Sequence, residues 1–308
     1  MTATESRVTT QPWWPARWGP DDEAGAFNEV GPAQVRDAAT LVRQGRIYDL
    51  AHVLHQDIPA FPGRTFRQYL TSAAHQVNLR RPDAGPRGLG ENNVNWVVEQ
   101  ITATQQMGTH VDGLNHLQDG DRTYNGYRLA DIAEEYGTNR LGIDTLPQLV
   151  TRGVLLDIAA VRGVERLGPG DVVTVREAVA ALDAGALTLR PGDALLIHTG
   201  WGQLWGVDNE AYAAAEPGAG LELGEWLAEQ RIALTGADTW SYGAYPPEDP
   251  HLPFAVPQRL NTRHGVVVAE NLRLTDLARD GIREFMFVLS HAKLRGATGA
   301  WVTPLAIV

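Results

Sequence analysis

Three side chains that can bind a metal ion fall within seven residues of the chain, namely His110, Asp112 and His116. If residues 106–112 form the end of a strand, alternation puts His110 and Asp112 on one face, where they converge on one point. Gly113 then interrupts the strand, and the turn after it lets His116 fold back toward the same point. This pattern predicts a site for a divalent metal ion.

A His-x-Asp pair can also be a hydrogen-bonded polar pair at a strand edge, since buried polar groups normally have partners. Gly108 and Gly113 flank the pair and favour a site, because glycine occurs where the backbone turns sharply or approaches another group closely. The chain has no cysteine, so any metal would be held by histidine, carboxylate, amide or water.

Two residues are predicted to carry protons. Glu270 ends an apolar stretch, where a glutamate is unusual, and we predict a role at the metal as ligand or as acid/base. Its alternative role is to cap a helix that starts near Leu274. His116 is the second candidate, as the base that orients or deprotonates a water molecule. Asp238 follows an apolar stretch too, but it could equally be a turn former.

The sequence Gly108-Thr109-His110-Val111-Asp112, followed by His116, resembles the Gly-Thr-His-x-Asp-x-x-x-His signature of the cyclase family of metal-dependent hydrolases, which includes bacterial kynurenine formamidases and isatin hydrolases. Further blocks resemble the same family, in the same order, at residues 17–23, 59–64, 124–126, 151–157, 198–201 and 270–272. The resemblance implies an α/β fold of the swivelling β/β/α type, a mixed sheet with flanking helices.

The chain departs from the formamidase pattern at two positions. Formamidase-type members carry a histidine where this chain has Gln106, and another where it has Pro257 and Gln258. Other members hold a single manganese-like ion with the His-x-Asp pair and a downstream glutamine. By this resemblance we expect one divalent ion, Mn or Zn, bound by His110, Asp112 and Gln258.

Residues expected to contact substrate come from irregular or aromatic stretches. Residues 56–93 contain many prolines and glycines, and loops this long are usually functional or mobile. The sequence Phe61-Pro62-Gly63-Arg64 within them is a candidate wall of the pocket. The predicted substrate-binding residues are Phe61, Trp96, Gln106 and Trp201.

These residue types predict a metal-dependent hydrolase. A divalent ion lowers the pKa of bound water and polarises a carbonyl, which suits opening of an amide, formamide or lactone in a small cyclic or aromatic substrate. The chain lacks a Gly-x-Ser-x-Gly motif, a Walker loop and a dinucleotide-binding fingerprint. The alternatives are a metal-assisted cyclase or dehydratase that does not hydrolyse, and a metal-free binding protein.

The composition of the chain limits the kinds of binding partner that we expect. A net charge of −11 argues against nucleic acid as a partner, and there is no long apolar run that could cross a membrane or act as a secretion signal. We therefore expect a cytoplasmic enzyme with a small-molecule substrate. Residues 1–31 form a Trp- and Pro-rich arm, which predicts a homodimer or homotetramer unless the arm packs on its own domain. Residues 32–308 are predicted to form a single domain.

Periodicity and end signals predict helices at residues 32–44, 128–136, 174–185 and 221–231. The third of these begins with a capping box, Thr174-x-x-Glu177. Strands are predicted at residues 47–54, 95–104, 153–161, 193–199, 232–237, 266–270, 285–290 and 301–308. Strands and helices alternate in the middle of the chain, which indicates an α/β fold.

Overall fold

The computed structural model of the protein describes residues 12–71, 91–92, 94 and 96–308. Its strands are Ile47–Asp49 (β1), Phe66–Leu70 (β2), Glu99–Ala103 (β3), His110–Asp112 (β4), Ala133–Glu134 (β5), Gly137–Thr138 (β6), Leu149–Asp157 (β7), Val172–Val173 (β8), Ala194–His198 (β9), Gly218–Ala219 (β10), Leu234–Ala237 (β11), Val267–Glu270 (β12), Glu284–Leu289 (β13), Gly299–Trp301 (β14) and Leu305–Ile307 (β15).

The α-helices of the described residues are Pro32–Ala39 (α1), Leu129–Ile132 (α2), Ile158–Arg162 (α3), Val175–Ala184 (α4), Asn209–Ala214 (α5), Leu221–Glu229 (α6), Ala255–Thr262 (α7) and Thr275–Arg279 (α8). Short 3-10 helices lie at Gly25–Glu29, Tyr124–Gly126 and Trp201–Leu204. Within the described part of the chain, every helix is too short or too polar to span a bilayer.

Nine of the described strands form one mixed sheet in the order β1-β15-β13-β7-β9-β11-β12-β4-β14. Strands β7, β9, β11 and β12 are parallel, and the strands outside them pair antiparallel. Helices connect the parallel strands, as such connections require. The predicted α/β fold, a mixed sheet with flanking helices, is therefore confirmed.

The parallel strands are buried on both faces. On β7, Val154 and Leu156 contribute to one apolar cluster, while Leu155 contributes to the other. Alternate side chains of a strand point to opposite faces, so a strand covered on both sides is apolar along most of its length. These buried strands hold the polar residues at their ends, such as Glu270 at the end of β12 and Asp238 after β11.

The two ends of the sheet are joined by a very short connection. Strand β14 forms one edge and β15 lies near the other, yet only residues 302–304 separate them. A few extended residues span only about 15 Å, so the sheet must curl back on itself. The predicted single strand 301–308 is wrong, because Pro304 has no N–H to donate within a ladder.

Other predicted bounds also change. The helix predicted at 32–44 ends at Ala39, where the hydroxyl of Thr40 donates to the carbonyl of Asp37. The strand predicted at 47–54 ends at Asp49, because the N–H of Leu50 donates to Pro304 outside the strand ladder.

In two further regions the structure has β-hairpins where the sequence predicts a helix or a different strand pairing. The region predicted as a helix at 128–136 forms α2 and then a hairpin of β5 and β6. The region predicted as a strand at 95–104 forms β3, which pairs with β2 in a separate hairpin and does not continue into the motif strand. Residue 95 itself, and residues 72–90 and 93 of the Pro- and Gly-rich stretch at 56–93, lie outside the described residues.

The described part of the N-terminal arm contacts the body of its own chain. The side-chain amide of Asn125 donates to three carbonyls of residues 19–22, and its oxygen accepts the N–H of Ala16 at 2.7 Å. The hydroxyl of Tyr124 donates to Asp22 at 2.7 Å. Two separate blocks of the sequence resemblance, residues 17–23 and 124–126, thus form one structural unit.

Candidate functional site

Strand β4 directs His110 and Asp112 toward the same point, and both side chains are buried. The Nδ1 atom of His110 lies 2.8 Å from the carbonyl oxygen of Gly108. Because a carbonyl can only accept a hydrogen bond, this contact assigns the proton to Nδ1 and leaves the lone pair of Nε2 facing the carboxylates. Such a tautomer is the one that a histidine metal ligand needs.

Glu270 reaches the same point from the neighbouring strand. In the antiparallel pairing of β12 with β4, Glu270 lies opposite His110. The Nε2 atom of His110 is 3.3 Å from Oε2 of Glu270 and 3.6 Å from Oδ1 of Asp112. Helix α8 begins after Leu274 without a side-chain cap, so Glu270 does not have the capping role that was its alternative.

His116 stands beside this cluster. Its backbone N–H donates to the carbonyl of Gly113, which closes the turn after β4. The Nε2 atom of His116 lies 3.9 Å from Oδ1 of Asp112, and the side chain is 23% exposed. It is therefore the more accessible of the two histidines.

The residues fit a divalent metal ion. One ligand atom from each of His110, Asp112 and Glu270 lies within 4.8 Å of the others. Nε2 of His110 and Oδ1 of Asp112 are buried, and neither makes a hydrogen bond within the described residues. Buried polar atoms without partners need an explanation, and one nitrogen with two carboxylates is a donor set that suits Zn or Mn.

The pKa shifts of His110, Asp112 and Glu270 also favour a bound cation. Burial lowers the pKa of His110, so the ring is neutral. Burial raises the pKa of Asp112, and it raises the pKa of Glu270 to about 7, although the nearby charges of His116 and Arg64 oppose that rise. Two buried carboxylates resist becoming charged together, and a cation between them would remove this cost.

A cavity of about 200 Å³ opens onto the cluster. The described residues that line it are Phe61, Arg64, Asp112, His116, Leu117, Trp240, Ser241, Phe254, Pro257 and Glu270. The ring centroids of Phe61 and Trp240 are 5.7 Å apart, and the ring of Phe254 lies 6.3 Å from that of Trp240. The cavity thus combines polar residues on one wall with aromatic rings on another.

Phe61 is the predicted substrate residue that lines this cavity, whereas the other three lie elsewhere. Gln106 is buried, and its amide donates to the hydroxyl of Thr298 at 2.9 Å. Trp201 packs in a separate apolar cluster, and its indole N–H donates to the carbonyl of Tyr212. Trp96 is exposed just before β3.

Gln258, the predicted third ligand, lies on α7. Its amide nitrogen donates to the carbonyl of Gln118 at 2.7 Å, and the amide of Gln118 donates to the carbonyl of His116. Gln258 therefore supports the turn that carries His116. Its role as a metal ligand stays a prediction, and in the described cluster Glu270 is the third residue beside His110 and Asp112.

The sequence did not single out Glu216, which holds the aromatic wall in place. It is fully buried, and one carboxyl oxygen accepts the backbone N–H groups of Trp240 and Ser241 at 2.7 and 3.1 Å. Burial raises its pKa well above the ordinary value. No local pattern marks Glu216, because its partners lie more than twenty residues away.

Asp238 holds the loop after β9. Its carboxylate accepts from the hydroxyl and N–H of Thr199 and from the N–H of Gly200. His198, at the end of β9, pairs with Asp157 at 2.9 Å. These contacts give Asp238 and the block at residues 198–201 a structural role next to Trp240.

Comparisons with known proteins agree with this fold. The family described as "Putative cyclase" matches residues 48–244. A crystal structure of a novel cyclase superposes with a TM-score of 0.82 at 30% identity, covering 94% of this chain and 98% of that one. A search of curated protein sequences gives no significant match.

Two more distant structures share the fold. Isatin hydrolase A from Labrenzia aggregata superposes with a TM-score of 0.64 at 21% identity, over 85% of this chain and 93% of that one. Isatin hydrolase A from Ralstonia solanacearum gives 0.61 at 19% identity, over 90% and 98%. The family match over most of the chain and the 30% identical structure decide the assignment, and the chain belongs to the cyclase family.

Proposed function

We propose that this protein is a metal-dependent hydrolase that opens an amide, formamide or lactone carbonyl in a small cyclic or aromatic substrate. The observation that carries the proposal is the buried cluster of His110, Asp112 and Glu270 at the wall of an aromatic cavity, with two ligand atoms that have no hydrogen-bond partner among the described residues. Family members of similar fold that are named isatin hydrolases support the reaction class.

His110, Asp112 and Glu270 would hold one divalent ion, Mn or Zn. When bound, such an ion polarises a carbonyl group and lowers the pKa of a coordinated water molecule. Gly108 keeps the His110 ring in the required tautomer, and the strand pairing of β4 with β12 fixes the distance between His110 and Glu270. The site therefore needs little rearrangement to bind the ion.

His116 would move the proton. In the hydrolysis, a water oxygen bonds to the carbonyl carbon, the C–N or C–O bond breaks, and the leaving nitrogen or oxygen takes a proton. His116 lines the cavity beside Asp112 and outside the three-residue cluster, so it can accept a proton from water and return it to the leaving group. Glu270 is the alternative proton carrier if it does not bind the ion.

The aromatic wall would select the substrate. Phe61, Trp240 and Phe254 present ring faces and edges to the cavity, and such surfaces bind planar rings well. The indole N–H of Trp240 is buried and has no hydrogen-bond partner among the described residues. A small planar ring next to the scissile carbonyl fits this wall.

The proposal is tested with protein loaded with Mn or Zn and a panel of aromatic lactones, cyclic amides and formyl-amines. We expect turnover of at least one class, loss of turnover with chelator, and one solvent oxygen atom in the product, detected by mass spectrometry in ¹⁸O-labelled water. A product without the label would replace hydrolysis by the cyclase or dehydratase reaction. Protein that takes up neither metal would contradict the metal site itself.

A further inference from the structure

Arg64 is a cation that lines the metal cavity, and no Lys or other Arg joins it there among the described residues. It stands in the irregular segment after β1, in the sequence Phe61-Pro62-Gly63-Arg64. A permanent positive charge next to a metal site is costly unless it has a partner, since the two cations repel each other. Arg64 therefore needs a function in the pocket.

Two contacts hold the guanidinium in place. Nη1 donates to the backbone carbonyl of Gln106, and the guanidinium carbon lies 5.4 Å from the centre of the Phe61 ring. Within the described part of the chain, Arg64 makes no other hydrogen bond and no ion pair within 4.0 Å. Since a guanidinium has five N–H groups, most of its donors remain available to a ligand.

The charge of the loaded pocket calls for an anion. Asp112 and Glu270 together would balance the two charges of a divalent ion, and His110 would bind through the lone pair of Nε2, because its Nδ1–H donates to the carbonyl of Gly108. Arg64 lines the same cavity as Asp112 and Glu270 and adds one positive charge that these two carboxylates would then leave unbalanced.

We propose that Arg64 binds a carboxylate on the ligand, so that the cavity selects planar ring compounds with one negative charge. A guanidinium matches a carboxylate with two parallel hydrogen bonds, and the ring beside it would lie against Phe61 and Trp240. The carboxylate is either a substituent of the substrate or the group that hydrolysis releases. The second source rests on the proposed function.

Binding of benzoate tests this directly, with benzamide as the neutral probe of the same shape. In calorimetric titrations of metal-loaded protein, benzoate should bind at least about tenfold more weakly to Arg64→Met than to the wild type, as loss of a charge-assisted bond predicts. Benzamide should bind both alike. Arg67→Met is the matched control, because Arg67 is exposed on β2 and does not line this cavity.

Equal benzoate affinity in the wild type and Arg64→Met, with the same metal content, would overturn the proposal. If Arg64→Met does not fold by circular dichroism, two measurements remain. Arg64→Lys keeps the charge without the planar fork and should bind benzoate with intermediate affinity. Wild-type protein should bind benzoate at least about tenfold more tightly than benzamide, and equal affinities would also overturn it.

Kinetics separate the two sources of the carboxylate. If Arg64→Met raises KM for substrates that bear a carboxylate and not for their neutral analogues, the group is a substituent. If Arg64→Met only weakens inhibition by the product, the carboxylate that Arg64 binds is the one that hydrolysis releases. If benzoate binding depends on Arg64 but the protein has no hydrolase activity, this proposal stands and the proposed function is refuted. If the protein is a hydrolase but benzoate binding does not depend on Arg64, only the role of Arg64 is refuted.

Discussion

At the scale of single residues, His110 is the most constrained member of the site. Its ring is buried, one nitrogen donates to Gly108, and the other faces two carboxylates. We expect His110→Ala to abolish metal binding and activity, because removal of one of few protein ligands leaves the ion mostly to water. Elemental analysis after loading with Mn or Zn is the measurement. His251→Ala is the control, since His251 is exposed; full metal content in His110→Ala would exclude His110 as a ligand.

Glu270 gives the site a pH dependence. Burial raises its pKa to about 7 in the metal-free protein, so below that pH the residue holds a proton that the ion must displace. Metal affinity should therefore be full above about pH 7 and fall as the pH decreases, by up to about tenfold per pH unit from this group. Titration of Mn by calorimetry across this range measures the effect.

Glu270→Gln is the matched variant for that experiment. It keeps the size of the side chain and removes the titrating group, so its weaker affinity should depend less on pH. Asp112, whose pKa burial also raises, supplies the remaining dependence. Identical pH profiles in the two proteins would show that Glu270 does not compete for a proton. If instead metal content is unchanged and turnover collapses, Glu270 is the proton carrier.

Glu216 acts on the site through its hold on Trp240 and Ser241. Burial raises the pKa of Glu216 well above its ordinary value of 4.5, so the stability that this group contributes is fully present below about pH 4.5 and is lost as the pH rises through the folded-state pKa. At neutral pH, Glu216→Gln should be nearly as stable as the wild type, while Glu216→Ala should lose about 2–4 kcal/mol through a cavity and two unpaired N–H groups. Urea unfolding of both variants checks this, and equal losses would contradict it.

At the scale of elements, the turn before β4 sets the direction of His110. Gly108 has φ of +62°, and a Cβ there would lie 2.0 Å from the side chain of Leu54. Leu54 is half-buried against Ile58 and Met107, so its side chain would have to shift within that cluster to make room. Gly108→Ala should cost about 1–3 kcal/mol of folding free energy and weaken metal binding, since the carbonyl that holds His110 shifts with it.

Gly120→Ala is the control for this element. Gly120 has a similar φ of +65° but nothing within 4 Å of an added Cβ, so only the backbone cost of about 1 kcal/mol should appear. Its metal affinity should equal that of the wild type. Urea unfolding and metal titration of both variants measure the difference. If both lose the same stability and keep the same affinity, the turn does not position His110.

Elements whose signals are local could be predicted from the sequence. The capping box at Thr174 and Glu177 forms as expected at the start of α4, and the apolar run at 193–199 forms β9. The alternation of β4 likewise puts His110 and Asp112 together. Each of these features depends on neighbours within a few residues, which the sequence displays directly.

Features set by distant contacts could not be predicted in this way. The sequence predicts a role of Glu270 at the metal, but its position opposite His110 depends on the antiparallel pairing of β12 with β4, a register between residues far apart in the chain. Glu216 likewise meets Trp240 only in the folded chain. The strand predicted at 95–104 has the right composition, but composition does not say that it pairs with β2 instead of leading into β4.

At the scale of the whole molecule, curling of the sheet determines what the site can contact. Strand β4 has β12 on one side and β14 on the other, so His110 lies between Glu270 and Trp301. The short connection at residues 302–304 ties β14 to the opposite end of the sheet. Both flanks of the His110, Asp112 and Glu270 cluster are thus fixed by backbone pairing, whereas Phe61 and Trp240, which line the cavity, lie outside the strands.

Assembly is the remaining prediction at this scale. Trp13 and Trp14 already contact their own chain, under Arg263 at 5.1 Å and Arg122 at 4.6 Å, yet both rings keep part of their surface exposed. Aromatic surface of this kind is typical of interfaces. We expect light scattering at micromolar concentration to give the mass of a dimer or tetramer.

Two truncations test whether the arm is responsible. Removal of residues 1–18 takes away Trp13, Trp14 and Trp18, while removal of residues 1–11 keeps all three. The longer truncation should shift the mass toward the monomer, and the shorter one should not, because the aromatic rings supply the buried surface. Circular dichroism must show that both remain folded, since the longer truncation also removes the Ala16 contact with Asn125. A monomer in all three proteins would refute assembly, and an oligomer in all three would place the interface elsewhere on the chain.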